Sequence, residues 1–343
     1  MRTTIAEGRL HEIIDESGHI VIFGHENPDG DSIGCTVGMY HYLKSLGKPS
    51  RIVVNSRLAD YLNFIIPDGS VSYYSENPAE CEDCVAAADL LIFLDMNAPK
   101  RTGDISMAVG KAASGSNPPR MVLIDHHLNP ETAGFDVVVS DTEVSSACEL
   151  LFHVLLQQPG IDGDVANLPM ECANALMTGI LTDTNNFANS VFPSTYQAVS
   201  MLQARGVNRD AIYDEVFRSY SEQRMRLMGH LLHDNMRCLK EGVAYITLSL
   251  EDKKLFGFVR GDSEGFVNLP LLVKDIRMSA MFTEEVGFVK VSLRSKRDVD
   301  VNDFSHKYCN GGGHKNASGG KLYMPFEDVP AYFEKKVEEF FRQ

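Results

Sequence analysis

The sequence has no apolar run long enough to span a bilayer, so a membrane-embedded protein is not expected. Its first residues, MRTTIAEGRLHEIIDESG, read as an amphipathic helix that carries acids. They lack the apolar core and small-residue cleavage site of a signal peptide, and a cytoplasmic protein is the expectation. Cysteine is too sparse and irregular for a disulfide framework: there are seven, an odd number, and Cys35, Cys148 and Cys172 lie in apolar surroundings. Cys81 and Cys84 form a CEDC pair, but no second CxxC or CxxH stands nearby, which argues against a zinc knuckle. No internal repeat or low-complexity segment is present.

Positive charge is also in short supply. Lys and Arg number 32 against 47 Asp and Glu, a net charge of −15. Residues 1–239 carry 16 basic and 31 acidic side chains, whereas residues 240–343 carry 16 of each, so the acidity belongs to the first two-thirds of the chain. Phosphate neutralisation supplies most non-specific nucleic-acid affinity, so long duplexes are excluded as partners and any nucleic-acid substrate should be short. At 343 residues, 44% hydrophobic and 23% charged, the chain is not disordered and can bury two cores.

Short apolar runs recur with helical stretches between them: HIVIFGH at 19–25, RIVVNS at 51–56, ADLLIFLDMN at 88–97, RMVLIDHH at 120–127 and FDVVVSD at 135–141. Nearly continuous Val/Ile/Leu strands alternating with helices predict a doubly wound α/β domain whose mostly parallel sheet is covered on both faces. After residue 141 the pattern is helical through SSACELLFHVLLQ, PMECANALMTGILTDTNNF, STYQAVSMLQARG and SEQRMRLMGHLLHDNMRCLK, the last read as a connection. Strands return in VAYITLSL, RMSAMFTEE and FVKVSLRSK, followed by helix-like VDVNDFSHKYC, the glycine loop NGGGHKNASGG and an amphipathic helix in EDVPAYFEKKVEEFFRQ. The expected division is the doubly wound domain over 1–190, a helical connector over 191–240 and a smaller α+β domain over 241–343.

Ligands of doubly wound sheets bind at the carboxyl ends of the strands. Three strand ends here carry clustered ionisable groups: His25, Asp29 and Asp31 in GHENPDGDSIG; Asp95; and Asp125 with His126 and His127. The first could be a polar strand-to-helix turn, with Asp31 suited to the helix N-cap. A solvated turn explains one such end but not three. Asp183, in GILTDTNNF at a helix end, adds a fourth candidate carboxylate. His25, Asp29, Asp31, Asp95, one of the two adjacent histidines and Asp183 cannot share a cleft without positive charge, and no lysine or arginine cluster stands near them. Two divalent cations bridged by a shared Asp would satisfy the set. A shell of carboxylate and imidazole points to Mn2+, with Mg2+ as the other choice.

The ordered motifs HENPDGDSIG, FLDMN, IDHH and LTDTNNF, with GGGHKNASGG far downstream, resemble the DHH phosphoesterase superfamily, and most closely its branch of nanoRNases and pAp phosphatases. The glycine-histidine loop separates this branch from family II inorganic pyrophosphatases. The resemblance implies His25, Asp29 and Asp95 on one metal, and Asp31, His126, Asp183 and the bridging Asp95 on the other. It also implies that His127 and Asp95 act in catalysis, with His127 facing the scissile phosphate and Asp125 holding a histidine in place. In a regular strand Asp125 and His127 share one face and His126 points away, so this assignment requires the strand to end before His126.

The loop GGGH lacks the Lys-Ser/Thr of a nucleotide-binding P-loop. The resemblance assigns it to substrate binding, here Gly311, Gly312, Gly313 and His314, with Arg294 and Ser295 of VSLRSK beside it as an anion cradle. The usual family form has four glycines followed by AAG; this chain has Asn310 at the first position and Ser318 in place of the second Ala. Arg101 is a further phosphate-contact candidate. The expected activity is metal-dependent hydrolysis of short oligoribonucleotides, of 3′-phosphoadenosine 5′-phosphate (pAp) or of both, with efficiency highest at about two to five nucleotides because longer strands meet the acidic domain. The alternatives are a phosphodiesterase for cyclic or linear dinucleotides and a degenerate nucleotide sensor. A homodimer is compatible with the resemblance, though no residue demands it.

Overall fold

The computed structural model describes residues 4–259 and 261–342, and the chain divides into two compact units between Ser219 and Tyr220. The first unit holds six parallel strands: β1 (Ile20–Phe23), β2 (Ser50–Val54), β3 (Val71–Tyr73), β4 (Leu90–Leu94), β5 (Arg120–Asp125) and β6 (Val137–Ser140). Their order is β3-β2-β1-β4-β5-β6, the doubly wound arrangement in which the strand order switches direction between the parallel neighbours β1 and β4. Among the described residues the unit has eight α-helices: α1 (Thr4–Glu16), α2 (Gly30–Ser45), α3 (Pro78–Ala87), α4 (Ser106–Ala113), α5 (Ala147–Leu156), α6 (Met170–Asp183), α7 (Pro193–Arg205) and α8 (Arg209–Phe217).

The apolar runs are nearly unbroken because both faces of these strands are buried. Ile22, Ile92, Leu94 and Ile124 pack into one core with α2, α5 and α6, while Phe23, Leu91, Phe93 and Leu123 pack into a second core with Cys81 and Val85 of α3 and Val109 of α4. Five of the six strands coincide with runs legible in the sequence. The exception is β3, whose three residues are too few to set a period.

Helices α2 and α6 approach closely because α2 is notched at every fourth residue. A methyl group on Gly30 would lie 2.4 Å from Thr182, one on Gly34 2.6 Å from the Ala175 carbonyl, and one on Gly38 3.0 Å from Leu176. This contact brings the start of α2, with Asp31, to the end of α6, with Asp183.

The second unit is a mixed sheet ordered β11-β12-β10-β9-β8-β7. Its strands are β7 (Met236–Leu239), β8 (Val243–Leu248), β9 (Met278–Glu285), β10 (Phe288–Ser295), β11 (Gly312–His314) and β12 (Ala317–Leu322). Only the β8–β9 pair is parallel. Helices α9 (Glu222–His230), α10 (Leu250–Leu255), α11 (Val301–Tyr308) and α12 (Val329–Phe341) complete the unit. The terminal amphipathic pattern is α12, which buries Val329, Phe333 and Val337 against Phe282 and Phe304.

Two stretches differ from their sequence reading. The helix over 221–240 stops at His230, passes through a π-helical turn and becomes β7, whose Arg237 and Cys238 pair with Tyr245 and Ala244. The glycine loop is a hairpin: Gly312 pairs with Gly319 and His314 with Ala317. Glycine strands carry no hydrophobic alternation, so periodicity could not reveal this pairing. No helix among the described residues is long and apolar enough to cross a membrane.

Candidate metal centre

Each first-unit candidate stands where a strand or helix ends. After β1, the backbone amide of His25 donates to Ser32 Oγ at 3.2 Å, which ties the turn to α2. The N-cap of α2 is Asp29, not Asp31: Asp29 Oδ1 accepts from the amides of Asp31 and Ser32, both at 3.1 Å. Asp31 instead lies inside the first turn and is 1% exposed. Its carboxylate receives the amides of Ala147 (2.7 Å) and Cys148 (2.9 Å), the opening residues of α5, so a helix N-terminus holds the anion in place.

Asp95 follows β4 in the left-handed region, with φ of 57°, and its amide donates to the Ile124 carbonyl at 3.1 Å. Left-handed backbone is uncommon for a non-glycine residue and costs energy, which the surrounding contacts must supply. The conformation turns the carboxylate into the centre of the cluster. Asp95 Oδ2 lies 3.4 Å from His25 Nε2, itself 3.8 Å from Asp29 Oδ1. Asp95 Oδ1 lies 3.4 Å from His126 Nε2, which is 3.8 Å from both Asp31 Oδ2 and Asp183 Oδ2. Two donor groups therefore share one carboxylate, an oxygen to each.

Strand β5 ends at Asp125, so His126 and His127 are outside the strand and escape its alternation. Both rings reach the cluster, at a centroid separation of 4.8 Å and an interplanar angle of 71°. His127 Nδ1 lies 2.7 Å from Asp125 Oδ1, and Asp125 is fully buried.

The cluster demands positive charge. Burial opposes protonation of His25, yet Asp29 and Asp95 outweigh it and lift its pKa to about 9. Burial likewise opposes His126, and Asp95, Asp183 and Asp31 raise it to about 10. Burial and the charges of Asp95 and Asp183 push Asp31 well above the ordinary carboxylate range, while Asp95, despite its burial, is held well below it by His126 and His25. Asp95 Oδ1 is buried and accepts no hydrogen bond among the described residues. A hard cation with ligands at about 2.1 Å sets neighbouring donors about 3 Å apart and opposite ones about 4 Å apart. The separations of 3.4 to 3.8 Å fall within that span, so the donor set fits divalent ions in both chemistry and spacing.

Arg101 sits in the turn Pro99–Ile105, and its carbonyl accepts from the Glu26 amide at 2.6 Å, which places this segment against the His25 turn.

The remaining candidates lie in the second unit. Arg294 on β10 and His314 on β11 flank Ala317 of β12 in the same cross-strand row. The Ser295 hydroxyl donates to the Val299 carbonyl at 2.7 Å and receives Asn316 Nδ2 at 2.9 Å. The Gly313 amide is taken by Asn302 Oδ1 at 2.8 Å, and a side chain on Gly311 would overlap the Gly319 carbonyl at 1.9 Å. Asn310 has φ of 47°, a conformation that Asn tolerates where the family pattern has Gly. Ser318 turns inward and donates to the Val301 carbonyl at 2.7 Å.

Sequence reasoning missed the support behind Asp31. Ser146 caps α5, and Glu149 Oε2 receives the Ser145 amide and hydroxyl and the Thr195 hydroxyl. The Ser146-x-x-Glu149 spacing is a helix-start signal that could have located this N-terminus.

Carboxylates and imidazoles gathered at the carboxyl edge of a doubly wound sheet, around a shared aspartate, form a donor set that could hold metal ions. The family model described as the DHH family, N-terminal domain, matches residues 19–180, and the DHHA1 domain model matches residues 243–343. A Thermus thermophilus protein named bifunctional oligoribonuclease and PAP phosphatase NrnA is 30% identical over 308 residues, covering 89% of this chain and 84% of that protein. The chain belongs to the DHH family, with a DHHA1 domain at its C-terminal end. A Bacillus subtilis cyclic-di-AMP phosphodiesterase, GdpP, is 25% identical over 99% of this chain, which spans 50% of that protein. The crystal structure of an exopolyphosphatase-related protein from Bacteroides fragilis superposes with a TM-score of 0.89 at 34% identity, covering 98% of this chain and 96% of that one.

Proposed function

We propose that this chain is a metal-dependent phosphoesterase that hydrolyses short oligoribonucleotides, pAp or both. The observation that carries the reading is the division of Asp95 between two donor groups, one oxygen to each. His25 and Asp29 with Asp95 would hold one divalent ion, and Asp31, His126 and Asp183 with Asp95 the other; the donor set favours Mn2+ over Mg2+. Bound there, the ions would supply Lewis acidity and a water of lowered pKa.

The chain's own groups do the rest. Asp125 accepts from His127 Nδ1–H, which holds in orientation the ring that would face the scissile phosphate. Arg101 is suited to a phosphate contact. In the second unit, Arg294 and His314, with the Gly311–Gly313 backbone and Ser295 shaping their hairpin, are assigned to the rest of the substrate. The named activity of the Thermus relative supports this reading. The likeness to GdpP favours a second reading, hydrolysis of cyclic dinucleotides. Hydrolysis of end-labelled oligoribonucleotides from dinucleotides to long single strands, beside pAp and a cyclic dinucleotide in Mn2+, separates them. Turnover of the cyclic dinucleotide alone would overturn the first reading, and rapid digestion of long strands would point to a processive exonuclease.

A further inference from the structure

Two structural links run from the carboxylates of the first unit to the opening turn of α7. The first starts at Asp183, which closes α6 and sets Oδ2 3.8 Å from His126 Nε2. Beyond it Asn185, Asn186 and Phe187 follow one another in the left-handed region, at φ of 46°, 55° and 67°. Asn tolerates this conformation, but for a residue as bulky as Phe it is an outlier that the surroundings must hold. The Asn186 amide donates to the Leu181 carbonyl at 2.8 Å, the Phe187 amide to Thr184 Oγ1 at 3.0 Å and the Ala188 amide to the Thr184 carbonyl at 2.9 Å, while Arg209 donates to Asn186 Oδ1. Backbone strain of this kind gathers at active sites and ligand clamps. Here it brings the Phe187 ring onto Tyr196 of α7, with centroids 5.9 Å apart and planes 28° from parallel.

The second link starts at Asp31, whose carboxylate lies 3.8 Å from the same His126 Nε2 and is held by the amides of Ala147 and Cys148. The next residue, Glu149, receives the buried Thr195 hydroxyl at 2.6 Å, and that hydroxyl accepts the Phe192 amide at 3.0 Å, which fixes the start of α7. Tyr196 follows Thr195 directly. Phe187 is partly buried against the core, whereas Tyr196 is 58% exposed. An open aromatic ring, backed by a second ring and tied to the cluster through both Asp31 and Asp183, has the build of a stacking platform. A tyrosine that merely faced solvent would need neither the strained turn nor the ring behind it.

We infer that Tyr196, backed by Phe187, is a nucleobase-stacking site that holds the base of the nucleotide bound at the metal centre. That the ligand is a nucleotide rests on the phosphoesterase reading. Stacking uses the π-face that every base presents and reads no base edge, so the site accepts any base, with more overlap for a purine than for a pyrimidine. It also suits an acidic unit. A neutral ring gains affinity from overlap rather than from charge, so its contribution changes little with salt, unlike that of a lysine or arginine.

The test compares the full chain with its Tyr196→Ala, Tyr196→Phe and Tyr196→Trp variants on pAp, a diribonucleotide and the base-free sugar bisphosphate that keeps both phosphates of pAp. Tyr196→Ala should raise KM for the two nucleotides roughly 5- to 30-fold and change kcat little, while the base-free compound is unaffected. Tyr196→Phe and Tyr196→Trp should restore the parent KM, because the ring acts and the hydroxyl does not. Binding is read separately from the fluorescence of 2-aminopurine riboside monophosphate, which is quenched when its base stacks. The parent and Tyr196→Phe should quench it, and Tyr196→Ala should need at least about 5-fold more protein to do so. Equal loss with and without the base would assign Tyr196 to the support of the Asp183 turn and overturn the site, as would a Phe variant as impaired as the Ala one. Quenching that depends on Tyr196 without hydrolysis of any phosphate ester would keep the site and overturn the phosphoesterase reading; hydrolysis of the nucleotides with no dependence on Tyr196 would do the reverse.

Discussion

The two units solve opposite electrostatic problems. Residues 1–219 carry 13 basic and 29 acidic side chains, and residues 220–343 carry 19 and 18. The parallel sheet of the first unit collects buried charge of one sign at its edge, from four separate stretches of chain. The mixed sheet of the second sets Arg294 and His314 on either side of Ala317 in one cross-strand row. A buried anionic cluster needs compensating positive charge, and divalent cations held in such a cluster can activate water. A row of exposed side-chain cations gives moderate, salt-sensitive affinity for phosphate. On the proposed reading, chemistry belongs with the first unit and phosphate recognition with the second.

The largest effect should follow from Asp95→Asn. An amide is a poor bridging ligand, so both donor groups lose their shared anion and turnover should fall by more than about 100-fold. Metal analysis should show at least one ion lost. A variant that keeps two ions and full activity would remove the bridge, and with it the reason to place chemistry in the first unit.

Next comes the support of the same site. Glu149 is buried, which opposes its ionisation, but the nearby His153 and the hydroxyls of Ser145 and Thr195 outweigh burial and lower its pKa from 4.5 to about 2. A depressed carboxyl pKa contributes stability that is complete above pH 4.5 and is lost as pH falls toward about 2. The shift corresponds to about 3 kcal/mol at neutral pH. Glu149→Gln should therefore be less stable by about that amount in urea unfolding at pH 7, with the gap narrowing below pH 4.5. A gap that does not change with pH would assign the loss to packing alone.

The adjacent histidines should fail differently. His126→Ala should weaken metal binding by roughly 10-fold or more, while His127→Ala should retain the ions and slow the chemical step. The reverse pattern would exchange their roles.

How much of this was legible in the sequence also divides by unit. The parallel strands announced themselves because burial on both faces forces continuous Val, Ile and Leu, and three charged strand ends in one such sheet converge by topology alone. What stayed hidden depends on contacts distant in sequence: the α5 amides that hold Asp31, the left-handed backbone of Asp95, and the assignment of the helix cap to Asp29. In the second unit the glycine motif was visible but its pairing was not, since a strand without side chains has no pattern. Arg294 and His314 stand in one row only because Ala317 pairs with both.

The smallest expected effect tests recognition itself. If His314 acts on the substrate beyond the reacting phosphate, His314→Ala should raise KM for dinucleotides and pAp several-fold and change kcat little. A small generic ester such as bis-p-nitrophenyl phosphate has no second anionic group to be held, so its hydrolysis should be nearly unaffected. Its rate then reports the metal centre alone, and the ratio of the two substrates isolates the contribution of the second unit. Equal loss on both substrates would mean that His314 supports the centre rather than recognition, and the division of labour between the two sheets would fail at this residue.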